Sequence, residues 1–243
     1  IFRDVVEASV RQQESRLTRA ANAIDEEPSL LRVAFQGAEG AYSHLAGRKF
    51  FADRAEEPIF VGYRSFRQAV EAVEREECEF AILPLENSVA GGINETYTLL
   101  GTSKLSIVGE EVWPVEHCLL GLAKVPLARI RRVYSHPQAL LQCSEFLEGL
   151  PGAVAESWFD TAGAVARVKE LGSEENAAIA SEEAGERHGL AVLRRSIANQ
   201  RNNQTRFVVV HRRPFRFDLR IPCRTSLVLV TDHREGALER CLA

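Results

Sequence analysis

The apolar positions change their period along the chain. From residue 1 to about 24 they recur at helical spacing, with Phe2, Val5, Val6, Val10, Leu17, Ala20 and Ile24 separated by charged residues. That spacing predicts one amphipathic helix. Glu26-Glu27-Pro28-Ser29 stops it and reads as a linker. From Leu31 onward, short β-branched runs alternate with longer helical patterns. Strands are predicted at 31–35, 59–63 and 80–83, with a turn at 37–40 and a loop at 86–92. Helices are predicted from about 43, over 65–76 and over 93–100. In the second of these Phe66, Ala69, Val70 and Val73 share one face.

The segment 105–121 is long and strand-like, broken by Pro114. It reads as a passage from one subdomain to the next. A second round follows, with strands at 132–135, 153–158 and 177–180 and helices at 137–147, 161–171 and 181–188. The apolar run after Thr205 reads as a strand that returns to the first subdomain. The rhythm predicts an α/β fold with largely parallel sheets. It is read as two lobes around a cleft, lobe one about 31–108 and 192–213, lobe two about 109–191. Ligands of open α/β sheets bind beyond the carboxyl ends of the strands, so the loops after strands are where chemistry is sought. Beyond Arg212-Arg213-Pro214 a linker runs to about 222. A strand is predicted at 225–231, and Gly236-Ala237-Leu238 opens a helix.

Composition narrows the classes. Of 243 residues, 45% are apolar and 26% charged, as in an ordinary soluble globular protein. No apolar run approaches the ~18 residues of a membrane span, and no basic-then-apolar leader is present, so a cytoplasmic protein is expected. A net charge of -4 argues against nucleic acid or anionic lipid as main partner. Cys78, Cys118, Cys143, Cys223 and Cys241 are scattered and odd in number, which suits reduced, mostly buried thiols. Six histidines show no ligand spacing, so no metal is expected. The chain opens at Ile1 and holds no methionine, which suits a piece of a longer protein.

Four stretches carry candidate chemistry. Gly37-Ala38-Glu39-Gly40-Ala41-Tyr42-Ser43-His44 sets glycines before a helix start, where backbone N–H groups meet an anion. The plainer reading, a tight turn with Ser43 as helix cap, has equal standing. Pro84-Leu85-Glu86-Asn87-Ser88-Val89-Ala90-Gly91-Gly92 sets Asn87 and Ser88 after a buried strand, and alone reads as a capping turn. In Ser135-His136-Pro137-Gln138-Ala139-Leu140 a proline suits the first helical turn, and His136 meets the positive end of the helix dipole. Last, Asn199-Gln200-Arg201-Asn202-Asn203-Gln204-Thr205-Arg206-Phe207 delivers a hydroxyl and a cation to the mouth of a strand. Neighbours on a regular strand face opposite ways, so Thr205 and Arg206 share a cleft only if the strand is bent or has not begun. Thr205 is the one assigned to the cleft. Arg206 either follows it or pairs with a carboxylate on the other face.

Taken together, the four stretches in this order resemble prephenate dehydratases over residues 31–213. Thr205-Arg206-Phe207 resembles that family's active-site signature, and Thr161 and Ser181 match further family positions. Residues 1–13 resemble the last helix of the all-helical chorismate mutases fused ahead of dehydratases, with Ser9 and Gln13 as the mutase's substrate contacts. The earlier helices of that domain are absent, so this piece alone is not expected to be a mutase. Residues 223–243 resemble the start of an ACT regulatory module. Its effector motif would fall on Gly236, Ala237 and Leu238, with Glu239 standing where the family has valine.

The resemblance implies a two-lobed dehydratase domain of type II periplasmic-binding architecture that turns prephenate into phenylpyruvate without a cofactor. It implies Thr205 as the catalytic hydroxyl, with Arg206, Asn87, Ser88, Ser43, His136 and Thr161 as substrate contacts. It further implies phenylalanine as effector and a homo-oligomer, dimer or tetramer. Two rival readings stand beside it: an arogenate dehydratase and a non-catalytic two-lobed binding module.

Overall fold

A computed structural model describes residues 31–54, 57–216 and 233–242 of the chain. The helix expected at 1–24, with Ser9 and Gln13, and the strand expected at 225–231 lie outside those residues. The described residues up to Phe215 belong to one compact unit, and Arg216 with residues 233–242 to a second.

In the larger unit the chain opens with β1 (Arg32–Gln36), α1 (Tyr42–Phe50), β2 (Ile59–Tyr63), α2 (Phe66–Glu74), β3 (Phe80–Asn87), the short β4 (Gly91–Gly92) and α3 (Asn94–Thr102). It continues through β5 (Ser106–Pro114), β6 (Cys118–Gly121), β7 (Arg132–Ser135), α4 (Pro137–Gln142), α5 (Ser144–Glu148) and β8 (Val154–Ser157). It closes with α6 (Thr161–Leu171), β9 (Asn176–Ala180), α7 (Glu182–His188), β10 (Ala191–Arg194) and β11 (Gln204–His211). In the smaller unit α8 (Ala237–Leu242) starts just after Gly236, which sits at φ +72°.

The strands form two sheets. The first has the order β2-β1-β3-β11-β5, with β4 on β3, and the second β10-β6-β9-β7-β8. Parallel pairing is confined to β2, β1 and β3 in the first and to β8, β7 and β9 in the second. The other partners, β4, β11 and β5 in one sheet and β6 and β10 in the other, pair antiparallel. The sheets are therefore mixed rather than largely parallel. Strands joined through a helix run in one direction, whereas β6 and β11 each enter from the other sheet and run against their neighbours.

The chain crosses between sheets twice, through residues 115–117 and 195–203. Both crossings fall later than the expected boundaries near 109 and 192. The reason is that β5 stays hydrogen-bonded to β11 as far as Pro114, and that β10 completes the second sheet.

Burial explains the central place of β11. Phe207 and Val209 pack with Ala46, Phe51 and Ile82 on one face of the sheet, while Val208 and Val210 pack with Ala69, Val73 and Leu83 on the other. A strand covered on both faces must be apolar throughout, which is why the run reads as continuous rather than alternating. In the second sheet β9 is buried along its whole length for the same reason.

Local chemistry fixes several helix starts. The Ser65 side chain accepts from the Gln68 N–H ahead of α2, Asp160 from the Gly163 N–H ahead of α6, and Ser181 from the Ala184 N–H ahead of α7. Ser43 does not cap α1. The helix begins one residue earlier with Ala41 at the N-cap, and Ser43 is buried in its first turn. The single helix expected at 137–147 breaks at Cys143, which is at φ -115°, ψ 18°.

Candidate active site

The site is built where β11 begins and β3 ends. Thr205 lies across from Asn87 on one side and from Trp113 of β5 on the other. β3 runs on through Asn87 rather than stopping at residue 83, so Asn87 is held by a sheet and not by a loop. Its amide is oriented by the turn that follows. Asn87 Oδ1 accepts from the backbone N–H groups of Val89 at 3.0 Å and Ala90 at 2.9 Å. Asn87 Nδ2 is thereby aimed at Thr205 Oγ1 at 2.9 Å and Asn203 Oδ1 at 2.6 Å, with the Gln204 carbonyl at 3.1 Å.

This contact has a chemical consequence. A threonine hydroxyl is one donor and two acceptor sites. With Asn87 donating into it, the Thr205 oxygen is fixed and its own proton stays free for another acceptor. Thr205 is 7% exposed, so the proton has few directions open to it.

The polar array continues across the lobes. Asn203 Nδ2 donates to Gln142 Oε1 at 3.1 Å, and Gln142 Oε1 also meets His117 Nε2 at 2.9 Å. Tyr42 Oη lies 3.1 Å from His117 Nδ1 and 2.8 Å from the Glu116 carbonyl, to which it donates. Burial pushes the His117 pKa below its usual value, against the bond to Gln142, which raises it. Desolvation likewise pushes the Tyr42 phenol well above its usual value. Near neutral pH both side chains are uncharged.

Two hollows flank the second crossing segment. One of about 440 Å³ is lined in part by Glu116, His117, Ser196, Gln200, Arg201 and Asn203. The other, of about 180 Å³, is lined in part by Val89, Leu141, Gln142 and Asn203. Asn203 borders both. Thr205 borders neither and is reached from them through the Asn203–Asn87 contact.

The family model of prephenate dehydratase matches residues 33–215. The chain belongs to the prephenate dehydratase family. It is 39% identical over 242 residues to the bifunctional chorismate mutase/prephenate dehydratase of Escherichia coli (strain K12), covering 100% of this chain and 62% of that protein. Among solved structures it is similar to a prephenate dehydratase from Arthrobacter aurescens in complex with L-Phe. That similarity is 28% identity and a TM-score of 0.72, over 87% of this chain and 71% of the other. It is also similar to GqqA, described as a novel type of quorum quenching acylase, at 35% identity and a TM-score of 0.68 over 87% and 75%.

In this dehydratase-family chain the remaining expected site residues divide. Asn87 meets Thr205 directly. The Ser88 hydroxyl is committed to the scaffold, donating to the Asn202 carbonyl at 3.0 Å and accepting from the Gln204 N–H at 2.9 Å. Arg206 pairs with carboxylates, the alternative given for it above. Its Nε lies 2.9 Å from Glu110 and its Nη1 3.6 Å from Glu86. The β-bulge falls after it, between Arg206 and Phe207, so alternation still holds from Thr205 to Arg206. His136 caps α4, its Nδ1 accepting from the Gln138 N–H at 3.2 Å. Ser43, His136 and Thr161 make no hydrogen bond to the Thr205–Asn87 pair among the described residues.

The glycine turn does not cradle an anion through its glycines. The Gly37 N–H donates to the Tyr63 carbonyl and the Gly40 N–H to His44 Nδ1, so both donors are taken. What the turn does is join the lobes. Ser181 Oγ donates to the Gly40 carbonyl, Arg187 pairs with Glu39 at 2.7 Å, and Asp160 lies against Gly37.

Tyr42, His117, Gln142 and Asn203 were not singled out as site residues by sequence reasoning. Asn203 and Tyr42 lie inside the candidate stretches. Gln142 is an amide between Leu141 and Cys143 at the end of a helix, and His117 a lone histidine before the apolar run Cys118-Leu119-Leu120. Each is a polar residue at a position the pattern marks as buried, which is the signal that was available. Among the described residues no group of three or more His, Cys, Asp or Glu could hold a metal ion, and no helix is long and apolar enough to cross a membrane.

Proposed function

We propose that this chain carries a prephenate dehydratase, a carbon–oxygen lyase that converts prephenate to phenylpyruvate, carbon dioxide and water. The observation that carries the reading is the Asn87 Nδ2–Thr205 Oγ1 hydrogen bond of 2.9 Å, which leaves one hydroxyl proton undirected inside the protein. In the reaction the bond from the ring to its carboxylate breaks and its electron pair enters the ring. The ring–oxygen bond breaks in turn, and the departing hydroxide becomes water with a proton taken from solvent. Thr205 donates a hydrogen bond to that oxygen. A placed donor of this kind is worth about 10² to 10⁴ in rate.

The leaving carboxylate loses its charge as carbon dioxide forms, so a cation gripping it would stabilise the ground state and slow the step. The groups around Thr205 are amides and uncharged rings, which suits that requirement. The pyruvyl carboxylate keeps its charge and does call for a cation. Arg201, which lines the larger hollow and has no partner among the described residues, is the candidate. This replaces Arg206, whose guanidinium is held by Glu110 and Glu86.

An acylase reading, suggested by GqqA, requires a hydroxyl activated by a base. Among the described residues the side chain that hydrogen-bonds Thr205 Oγ1 is an amide donor and not a base, which supports the dehydratase reading instead. The Arthrobacter aurescens complex supports phenylalanine as an effector of the whole protein, acting through the part that contains Gly236, Ala237 and Leu238. A biosynthetic lyase of this kind belongs in the cytoplasm.

The test is incubation of the protein with prephenate and with arogenate, following product absorbance. We expect phenylpyruvate from prephenate. Turnover of arogenate alone moves the substrate assignment, and turnover of neither removes the reading. Thr205→Ala is expected to lower kcat by about a hundredfold or more, with an unchanged circular-dichroism spectrum.

A further inference from the structure

The amides around Thr205 orient one another, and the sequence of constraints ends on a histidine. The Val89 and Ala90 N–H groups fix the Asn87 oxygen, so the Asn87 nitrogen faces Thr205 and Asn203. Asn203 must then present oxygen to Asn87 and nitrogen to Gln142 Oε1. That oxygen also faces His117 Nε2, and a carbonyl oxygen only accepts, so Nε2 carries a hydrogen. His117 is the tautomer with Nδ1 bare, 3.1 Å from Tyr42 Oη, whose one proton is shared between Nδ1 and the Glu116 carbonyl at 2.8 Å. A tautomer is thus dictated by two backbone N–H groups on the other side of the array.

We infer that His117, held by Tyr42, is a positioning residue for the dehydration. Its Nε2–H pins the Gln142 amide, and through Asn203 the Asn87 amide that orients the Thr205 hydroxyl. This rests on the dehydratase reading. It involves no proton transfer, because the amides between His117 and Thr205 pass no proton in their stable form. Nor does it reduce to space filling. The Tyr42 and His117 rings do pack edge to face with centroids 5.7 Å apart, but each ring nitrogen of His117 also has a separate polar partner. His117 and Asn203 sit on the two crossing segments, Gln142 in the second lobe, and Asn87 and Thr205 in the first. The array therefore forms only at this spacing of the lobes.

The test compares His117→Phe, His117→Gln and Tyr42→Phe in the full chain, with kcat and KM for prephenate and a thermal midpoint for each. His117→Phe keeps a ring and removes the donor. It is expected to lower kcat about ten- to a hundredfold while KM moves by less than about twofold. His117→Gln restores a donor to Gln142 and should recover most of the lost kcat even though its midpoint falls. Tyr42→Phe should cost about fivefold in kcat, the worth of one hydrogen bond. Wild-type kcat in His117→Phe, or losses in the two His117 variants that follow their midpoints alone, overturns the inference. If His117→Phe does not fold, an unchanged kcat in Tyr42→Phe overturns it. An unmodified protein that leaves prephenate untouched instead removes the dehydratase reading.

Discussion

At the scale of single residues, two neighbours on one strand have opposite tasks. Thr205 is the reacting hydroxyl of the proposal, and Arg206 belongs to the scaffold. Its guanidinium ties the start of β11 to Glu110 on β5 and Glu86 on β3, so it holds together the strands on either side of Thr205. Arg206→Gln is therefore expected to lower folding stability by about 1 kcal/mol, as for a partly shielded ion pair, and to leave KM for prephenate within about twofold. A large rise in KM with unchanged urea midpoint would return Arg206 to the substrate. Thr205→Ser keeps the hydroxyl that accepts from Asn87 and should retain most of the activity that Thr205→Ala loses.

At the scale of elements, the turn from β1 to α1 is where glycine is required. Gly40 sits at φ +91°, and a Cβ there would come within 2.9 Å of the Ala184 Cα in α7. The obstacle is backbone of the other lobe, so it cannot turn aside. Gly40→Ala should cost about 2 kcal/mol or more, from φ strain and overpacking together, and should lower kcat as well as the melting temperature. A variant with wild-type values of both would show that the lobes do not meet at this point in solution. The sequence displayed the need for a turn at 37–40 but not what it would face. Periodicity reports which residues are buried within an element and is silent on which element covers them. For the same reason β3, α2 and β11 were readable from their apolar runs, whereas four-residue β10 was not. Its pairing with β6 comes from the whole sheet and not from its own pattern. Asn87 and Thr205 were legible because they stand at the ends of such runs. His117 and Gln142 were not, since each is a single polar residue whose partner comes from elsewhere in the chain.

At the scale of the whole molecule, buried histidines make stability depend on pH. His44 is 3% exposed, accepts the Gly40 N–H on Nδ1, and is packed against Phe35 and Phe60. Burial, with Arg187 nearby, lowers its pKa from 6.5 to about 4. The unfolded chain binds a proton first as pH falls, so this stability is complete above about 6.5 and is lost as pH falls toward about 4. His117, His136 and His188 are shifted in the same direction. Between about pH 7 and about pH 5, His44 alone should remove on the order of 2 kcal/mol. Urea midpoints at the two pH values check this, and His44→Asn should show a shallower slope. The order of the strands also sets an order of events. Strands β6 to β10 of the second sheet are contiguous in the chain, whereas β11, the last of the first sheet, fits between β3 and β5, made long before it. During synthesis on a ribosome the insert can therefore finish while its host still has a gap in its middle. The hydroxyl proposed to do the chemistry travels on the strand that fills the gap.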